Sequence, residues 1–265
     1  MFQWKSSLVR LLATLVVGVT FAATAQAVLI TNLTTNQVIF KDDFESGVVG
    51  NAPTAQVGTW ELVGPGATQG IKVTDAASPG PNQGTKYLNE NRMLPPFYPD
   101  VQLRANATAV QSTPGDVIRL EFATYQPSTP VFQSNTFIIN PAAPVTGREY
   151  FVIGVDIDGN PRPVEIGPNV NAELTAAFKL DTWQNWVIDF ELGTNKTTWT
   201  LDGTTVVTNS PPNGTHVDFN QLVIDMGGDD LIYLDAPNPI PEPASFVALG
   251  IGAVGVLATR IRRRK

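Results

Sequence analysis

Between residues 28 and 239 apolar and polar side chains alternate with a period of two, and no segment sustains a 3.6-residue apolar period. Phe151, Ile153, Val155 and Ile157 fall on one face of a run whose other face carries Val152, Gly154, Asp156 and Asp158. Trp186, Ile188, Phe190 and Leu192 alternate with Val187, Asp189 and Glu191, and Ile118, Leu120 and Phe122 with Arg119 and Glu121. Successive side chains of a strand point to opposite faces, so each run predicts a strand buried on one side and wet on the other, as in antiparallel sheets. Thr198–Leu201 and Thr204–Val207 flank Asp202-Gly203. Asp-Gly accepts the positive φ that both central residues of a type I′ turn need, so this segment predicts a hairpin. Further strands are predicted at 38–44, 59–63, 86–89, 136–139, 219–226 and 231–235, and Pro and Gly recur too often for long helices. A dozen or so short strands in about 210 residues predict one all-β sandwich or barrel over 28–237.

The two ends depart from this pattern. Lys5 and Arg10 precede an apolar run from Leu11 to Ala23, and Ala25-Gln26-Ala27 follows. A basic start, an apolar centre and small residues at both recognition positions read as a secretory signal peptide over 1–27, cleaved after Ala27, against the alternative of an uncleaved anchor. At the other end Pro241-Glu242-Pro243 is followed by an apolar stretch from Ala244 to Thr259 and then by Arg260, Arg262, Arg263, Arg264 and Lys265. Sixteen helical residues span about 24 Å, short of a ~30 Å hydrocarbon core, although snorkelling arginines lengthen their reach. Five positive charges would hold that tail in the cytoplasm and leave the body outside.

Composition narrows the chemistry. The chain of 265 residues has no Cys and one His, His216. That removes disulfide frameworks, thiolate metal sites, cysteine nucleophiles and multi-histidine metal sites. Of the seventeen basic residues, ten lie between 28 and 259 against all twenty-four acids, a charge of about −14 for the body. So acidic a domain is repelled by phosphate backbones, and nucleic acid is not an expected partner. Cations and neutral ligands such as sugars remain compatible.

The tripartite C-terminus resembles the PEP-CTERM sorting signal, a Pro-Glu-Pro motif before one hydrophobic helix and an arginine-rich tail. The resemblance covers about residues 241–265, within a sorting segment placed at 238–265. It implies a Gram-negative bacterium that makes extracellular polysaccharide, recognition by the membrane transpeptidase-like enzyme exosortase, transient anchoring in the inner membrane, and a final place at the cell surface or outside it. A second resemblance rests on Asp42-Asp43-Phe44-Glu45-Ser46-Gly47 leading to Thr59-Trp60, on Trp183-Gln184-Asn185-Trp186-Val187-Ile188-Asp189-Phe190 with Trp199 and Leu201-Asp202-Gly203, and on Leu231–Asp235. These segments are similar to strands of concanavalin A-like, laminin-G-like jelly rolls and related carbohydrate-binding modules. The resemblance implies a jelly-roll sandwich of two antiparallel sheets whose last strand returns beside the first. It also implies a structural calcium ion at that seam, where Glu45 and Asp235 would be neighbours and Asp43 or Asp42 could join them. Calcium takes six to eight oxygen ligands, and Ala236 stands where the pattern usually supplies a second acid. The alternative is ordinary solvated edge acids.

No catalytic residues are expected. Asp156 and Asp158 share a strand face, as the two carboxyls of a glycosidase would, but the Glu-x-Asp-x-x-Glu strand of concanavalin-like glycosidases is absent. His216 lies in a turn-rich loop with no Gly-x-Ser-x-Gly elbow in the chain. Of the tryptophans, Trp183 has the parity opposite to Trp186 and is the candidate for stacking on sugar rings; the others read as core. The sequence therefore predicts a non-enzymatic, lectin-like surface or matrix protein associating with extracellular polysaccharide. A polysaccharide-degrading hydrolase of the same fold is the alternative.

Overall fold

The computed structural model describes residues 27–64, 67–91, 101–107, 115–129, 133–140, 149–155, 158, 160–161, 164–166, 169–194, 196–209, 219, 221–226 and 231–237. In chain order its strands are β1 (Val28–Asn32), β2 (Gln37–Asp42), β3 (Thr59–Val63), β4 (Ile71–Thr74), β5 (Tyr87–Asn91), β6 (Val101–Asn106), β7 (Val117–Tyr125) and β8 (Gln133–Asn140). There follow β9 (Glu149–Val155), β10 (Val164–Ile166), β11 (Asn169–Asn171), β12 (Trp183–Glu191), β13 (Lys196–Leu201), β14 (Thr204–Asn209), β15 (Gln221–Met226) and β16 (Leu231–Asp235). Two short helices, Ala67–Gly70 and Ala172–Ala177, sit between strands.

Among the described residues the strands form two sheets. The larger runs β14-β13-β12-β7-β16-β5-β4, with β1 also on β7 and β2 on β1; the smaller runs β11-β10-β9-β8-β15-β6-β3. Every pairing is antiparallel. One apolar core lies between the sheets. Ile118, Leu120, Phe122, Trp186, Ile188, Phe190, Trp199 and Leu201 of the larger sheet meet Leu103, Ala105, Ile153 and Leu222 of the smaller one. The fold is an antiparallel sandwich of jelly-roll type.

The local rules that predict these strands are visible in place. β12 alternates half-buried and buried residues along its whole length, so its even-numbered side chains face the core. Asp202 and Gly203 adopt φ of 47° and 84° and join β13 to β14, as the hairpin reading requires. At the edge nearest β2 and β3, Trp60 joins the sheets: its ring packs edge-on to Phe40 at 4.7 Å and its Nε1–H donates to Oδ2 of the buried Asp42.

One expectation is corrected. The last strand does not pair with the first. β16 pairs with β7 at Ala123–Tyr125, and β1 pairs with the same side of β7 at Ile118–Phe122. The two strands therefore lie end to end along one partner, Asp235 opposite Ala123 and Val28 opposite Phe122. The physical reason is length: β7 has nine residues and each of its partners on that side has five, so one long strand offers ladder positions to both. β1, β4, β6, β10 and β11 have no counterpart among the predicted strands.

Candidate functional site

The outward face of the larger sheet is built from the odd-numbered residues of β5, β7, β12 and β16. Register places Trp183 opposite Tyr125, Tyr125 opposite Tyr233, and Tyr233 opposite Asn89. Tyr87 stands in the next row. Four rings close into a quartet, with centroids 5.9 Å apart for Tyr87 and Trp183, 5.6 Å for Tyr87 and Tyr233, 5.7 Å for Tyr125 and Trp183, and 5.8 Å for Tyr125 and Tyr233. These tilted and edge-on pairings suit the ring quadrupole, and each adds about 0.5–1.5 kcal/mol beyond burial.

The loop between β4 and β5 crosses this face and fixes it. Trp183 Nε1–H donates to the Gly80 carbonyl at 3.0 Å, and the Tyr87 hydroxyl donates to the carbonyls of Ala76 and Ser78 at 3.2 and 3.1 Å. Tyr87 is buried, while Trp183, Tyr125 and Tyr233 keep part of their surface in solvent. Burial pushes all three tyrosine hydroxyls above their ordinary range, so each remains a neutral hydrogen-bonding group at physiological pH. Half-buried Asn89 and Asn185 add amides beside the rings. Apolar ring surface bordered by fixed amides and hydroxyls is the combination that holds a polyhydroxylated ring by stacking and hydrogen bonds.

Farther along the same face Arg119 grips Asp189 through two bonds of 2.7 Å. The Asp189 hydrogen bond raises the Arg119 pKa, and burial raises that of neighbouring Glu121 against the pull of Arg119. Glu121 is not distinguished in the sequence, because its strand parity alone makes it an ordinary wet-face acid.

The three acids expected to hold calcium are engaged otherwise. Asp43 Oδ1 accepts the N–H groups of Glu45 and Ser46 at 3.0 and 3.4 Å, closing a turn on itself. Glu45 accepts Thr85 N–H and Thr85 Oγ1–H at 2.7 Å each, and Lys86 N–H at 2.8 Å. Burial pushes the Glu45 carboxyl up, but these bonds and the Lys86 charge outweigh it and hold the pKa below the ordinary value. Asp235 is buried; its Oδ2 accepts Asn82 and Gln83 N–H at 2.6 and 3.0 Å and its Oδ1 accepts Ala236 N–H at 2.6 Å. Burial raises its pKa to about 7 despite those three donors, with the Glu45 charge adding to the rise. Glu45 and Asp235 do lie near enough to feel each other's charge, as the seam reading expects. Their lone pairs, however, point at backbone donors, and among the described residues no three His, Asp or Glu side chains gather into a group fit for a metal ion. The arrangement does not fit calcium.

Several expected positions fall outside the described residues: Ala25, Asp156, His216, the motif Pro241-Glu242-Pro243, the apolar stretch 244–259, and Arg260, Arg262, Arg263 and Arg264. Among the described residues no helix is long and apolar enough to cross a membrane. Asp158 is exposed.

Residues 239–264 match the family model for the PEP-CTERM protein-sorting motif. The chain therefore carries that C-terminal sorting signal behind its sandwich and is an exported protein. No curated protein matches the chain. Among solved structures it is similar to a glycoside hydrolase family 16 endo-glucanase from Bacteroides ovatus, at 14% identity over 73% of this chain and 96% of that one, with a TM-score of 0.45. It is also similar to the carbohydrate recognition domain of Emp46p in its potassium-bound form, at 9% identity over 66% and 85%, with a TM-score of 0.40. A third is TmCBM61 in complex with β-1,4-galactotriose, at 10% identity over 66% and 82%, with a TM-score of 0.31.

Proposed function

We propose that this protein is a non-enzymatic, lectin-like surface or matrix protein that associates with extracellular polysaccharide through the outward face of its larger sheet. Exosortase would recognise the C-terminal signal while the apolar stretch holds the chain transiently in the inner membrane, then pass the body to the surface or the exterior. The observation that carries the binding reading is the quartet of Trp183, Tyr125, Tyr233 and Tyr87, ordered by a loop and left partly open. A sugar ring laid on Trp183 would bury its apolar C–H face while its hydroxyls reach Asn185 and the hydroxyls of the half-buried Tyr125 and Tyr233. Each contact is weak, and repetition along a polymer would supply avidity.

The test is a glycan-array screen of the full chain beside its Trp183→Ala variant. Binding to one polysaccharide class, weakened about tenfold or more in the variant, supports the reading; binding unaffected by Trp183→Ala removes it. Deleting residues 241–265 is expected to abolish surface attachment, and attachment that survives would remove the sorting part.

The hydrolase reading keeps one specific support. Glu121, whose pKa burial raises, lies diagonal in register to Asp189, and two neighbouring carboxyls in different surroundings suit glycoside cleavage. Against it, both Asp189 oxygens are already engaged by the guanidinium. Release of reducing sugar from the bound polymer, abolished by Glu121→Gln, would favour this second reading.

A further inference from the structure

The clasp between residues 45–47 and 82–86 has its own cation. Lys86 Nζ donates to the carbonyl oxygens of Glu45 and Gly47 at 2.7 and 2.9 Å. In return the Glu45 carboxylate accepts N–H groups from Thr85 and Lys86 and the Thr85 hydroxyl. Each segment therefore holds the other by side chain and backbone together, across about forty residues of chain. Gly84, at φ of 68°, is required for this approach, since a Cβ there would collide with the Glu45 carboxylate.

Two main-chain carbonyls and a nearby carboxylate are the hard oxygen ligands that a divalent cation would take. Here the two carbonyls converge on an ammonium with three N–H donors, while the carboxylate turns to Thr85 and the Lys86 backbone N–H. We propose that Lys86 is a built-in replacement for a structural metal ion at this seam, so that the sandwich closes its strand ends without calcium. The charge balance supports this: Lys86 supplies the positive charge beside Glu45, and the buried Asp235 nearby is satisfied by three backbone donors. A calcium ion could bind the two carbonyls only by displacing Lys86 Nζ, because ammonium and metal would occupy the same space.

The experiment is thermal unfolding of the full chain, followed by circular dichroism, in millimolar calcium and in excess EDTA. The wild type is expected to melt at the same temperature in both. Lys86→Met keeps the aliphatic stem and removes the charge, and is expected to melt about 5 °C lower in EDTA, leaving two carbonyls unpaired. Calcium is expected to restore part of that loss in Lys86→Met alone, because the place of the ammonium is then open. Lys86→Arg keeps the positive charge and is expected to ignore calcium, which keeps the proposal testable if Lys86→Met fails to fold. A wild type stabilised by calcium and destabilised by EDTA, or a Lys86→Met variant that melts like the wild type, would overturn it.

Discussion

Trp183 and Trp186 are three residues apart on β12 and live in different solvents. Trp186 points into the core, is fully buried, and gives its Nε1–H to Thr124 Oγ1 at 2.9 Å. Trp183 points out, gives its Nε1–H to the Gly80 carbonyl, and joins three tyrosines drawn from β5, β7 and β16. Both indoles are polar-satisfied and both pack on aromatic or apolar neighbours, so residue type does not separate them. What separates them is parity on the strand and what lies across: a second sheet for one, a loop that covers part of the face for the other. A wet sheet face becomes a candidate binding surface when it has ordered rings that the fold itself does not require.

That contrast can be broken at its strong end first. Trp186→Ala opens a cavity in the core and is expected to destabilise the protein by about 3–5 kcal/mol, measured by urea unfolding. Next comes pH. Burial raises Asp235 to about 7 and Asp42 to about 6, both from 3.8. Between the ordinary and the raised values the folded state binds more protons than the unfolded one. The contribution of these two carboxyls is therefore fully present below 3.8 and is lost as pH rises through 6 and then 7. A tenfold change in proton affinity corresponds to about 1.4 kcal/mol. In Asp235→Asn, unfolding measured across that range is expected to lose about half of its slope between 3.8 and about 6, where Asp42 still contributes, and the whole of it between about 6 and about 7. Trp183→Ala deletes two ring contacts on a half-open face and is expected to cost about 1–3 kcal/mol in stability, less than Trp186→Ala, while glycan affinity falls more than in any core variant. Smallest is Arg119→Ala. Its pair with Asp189 is partly exposed, so a double-mutant cycle is expected to return under about 1 kcal/mol.

The inside of this sandwich is legible in the chain and the outside only half so. Alternation identifies Ile118, Leu120, Phe122, Trp186, Ile188 and Phe190 as one buried set because a period of two is a local property of the chain. The same parity puts Trp183 on the outward face. It does not bring Tyr87, Tyr125 and Tyr233 together, since which strands lie side by side depends on pairings between distant segments. The signal is present in weak form: Tyr233 sits between the core residues Ile232 and Leu234, and Tyr125 follows the odd-numbered outward residues of β7. The loop 75–86 has nothing in its spacing to mark it as more than a connection, although it supplies Gly80, Asn82, Gln83 and Lys86. The seam between Glu45 and Asp235 is legible as a place, while its chemistry is not, because a lysine reaching back forty residues leaves no trace in spacing.

The end-to-end meeting of β1 and β16 on β7 has a mechanical consequence. Asp235, two residues from Tyr233 in the ring quartet, is followed by Ala236, which is buried in the core and whose carbonyl accepts the Asn82 amide. Tension from a polymer gripped at Trp183 on β12 would cross β7 to β16 through their backbone ladders and reach the buried Ala236 at the end of β16. The body would then act as a short coupling between rope and mooring, and its remaining strands would serve to keep that coupling in shape.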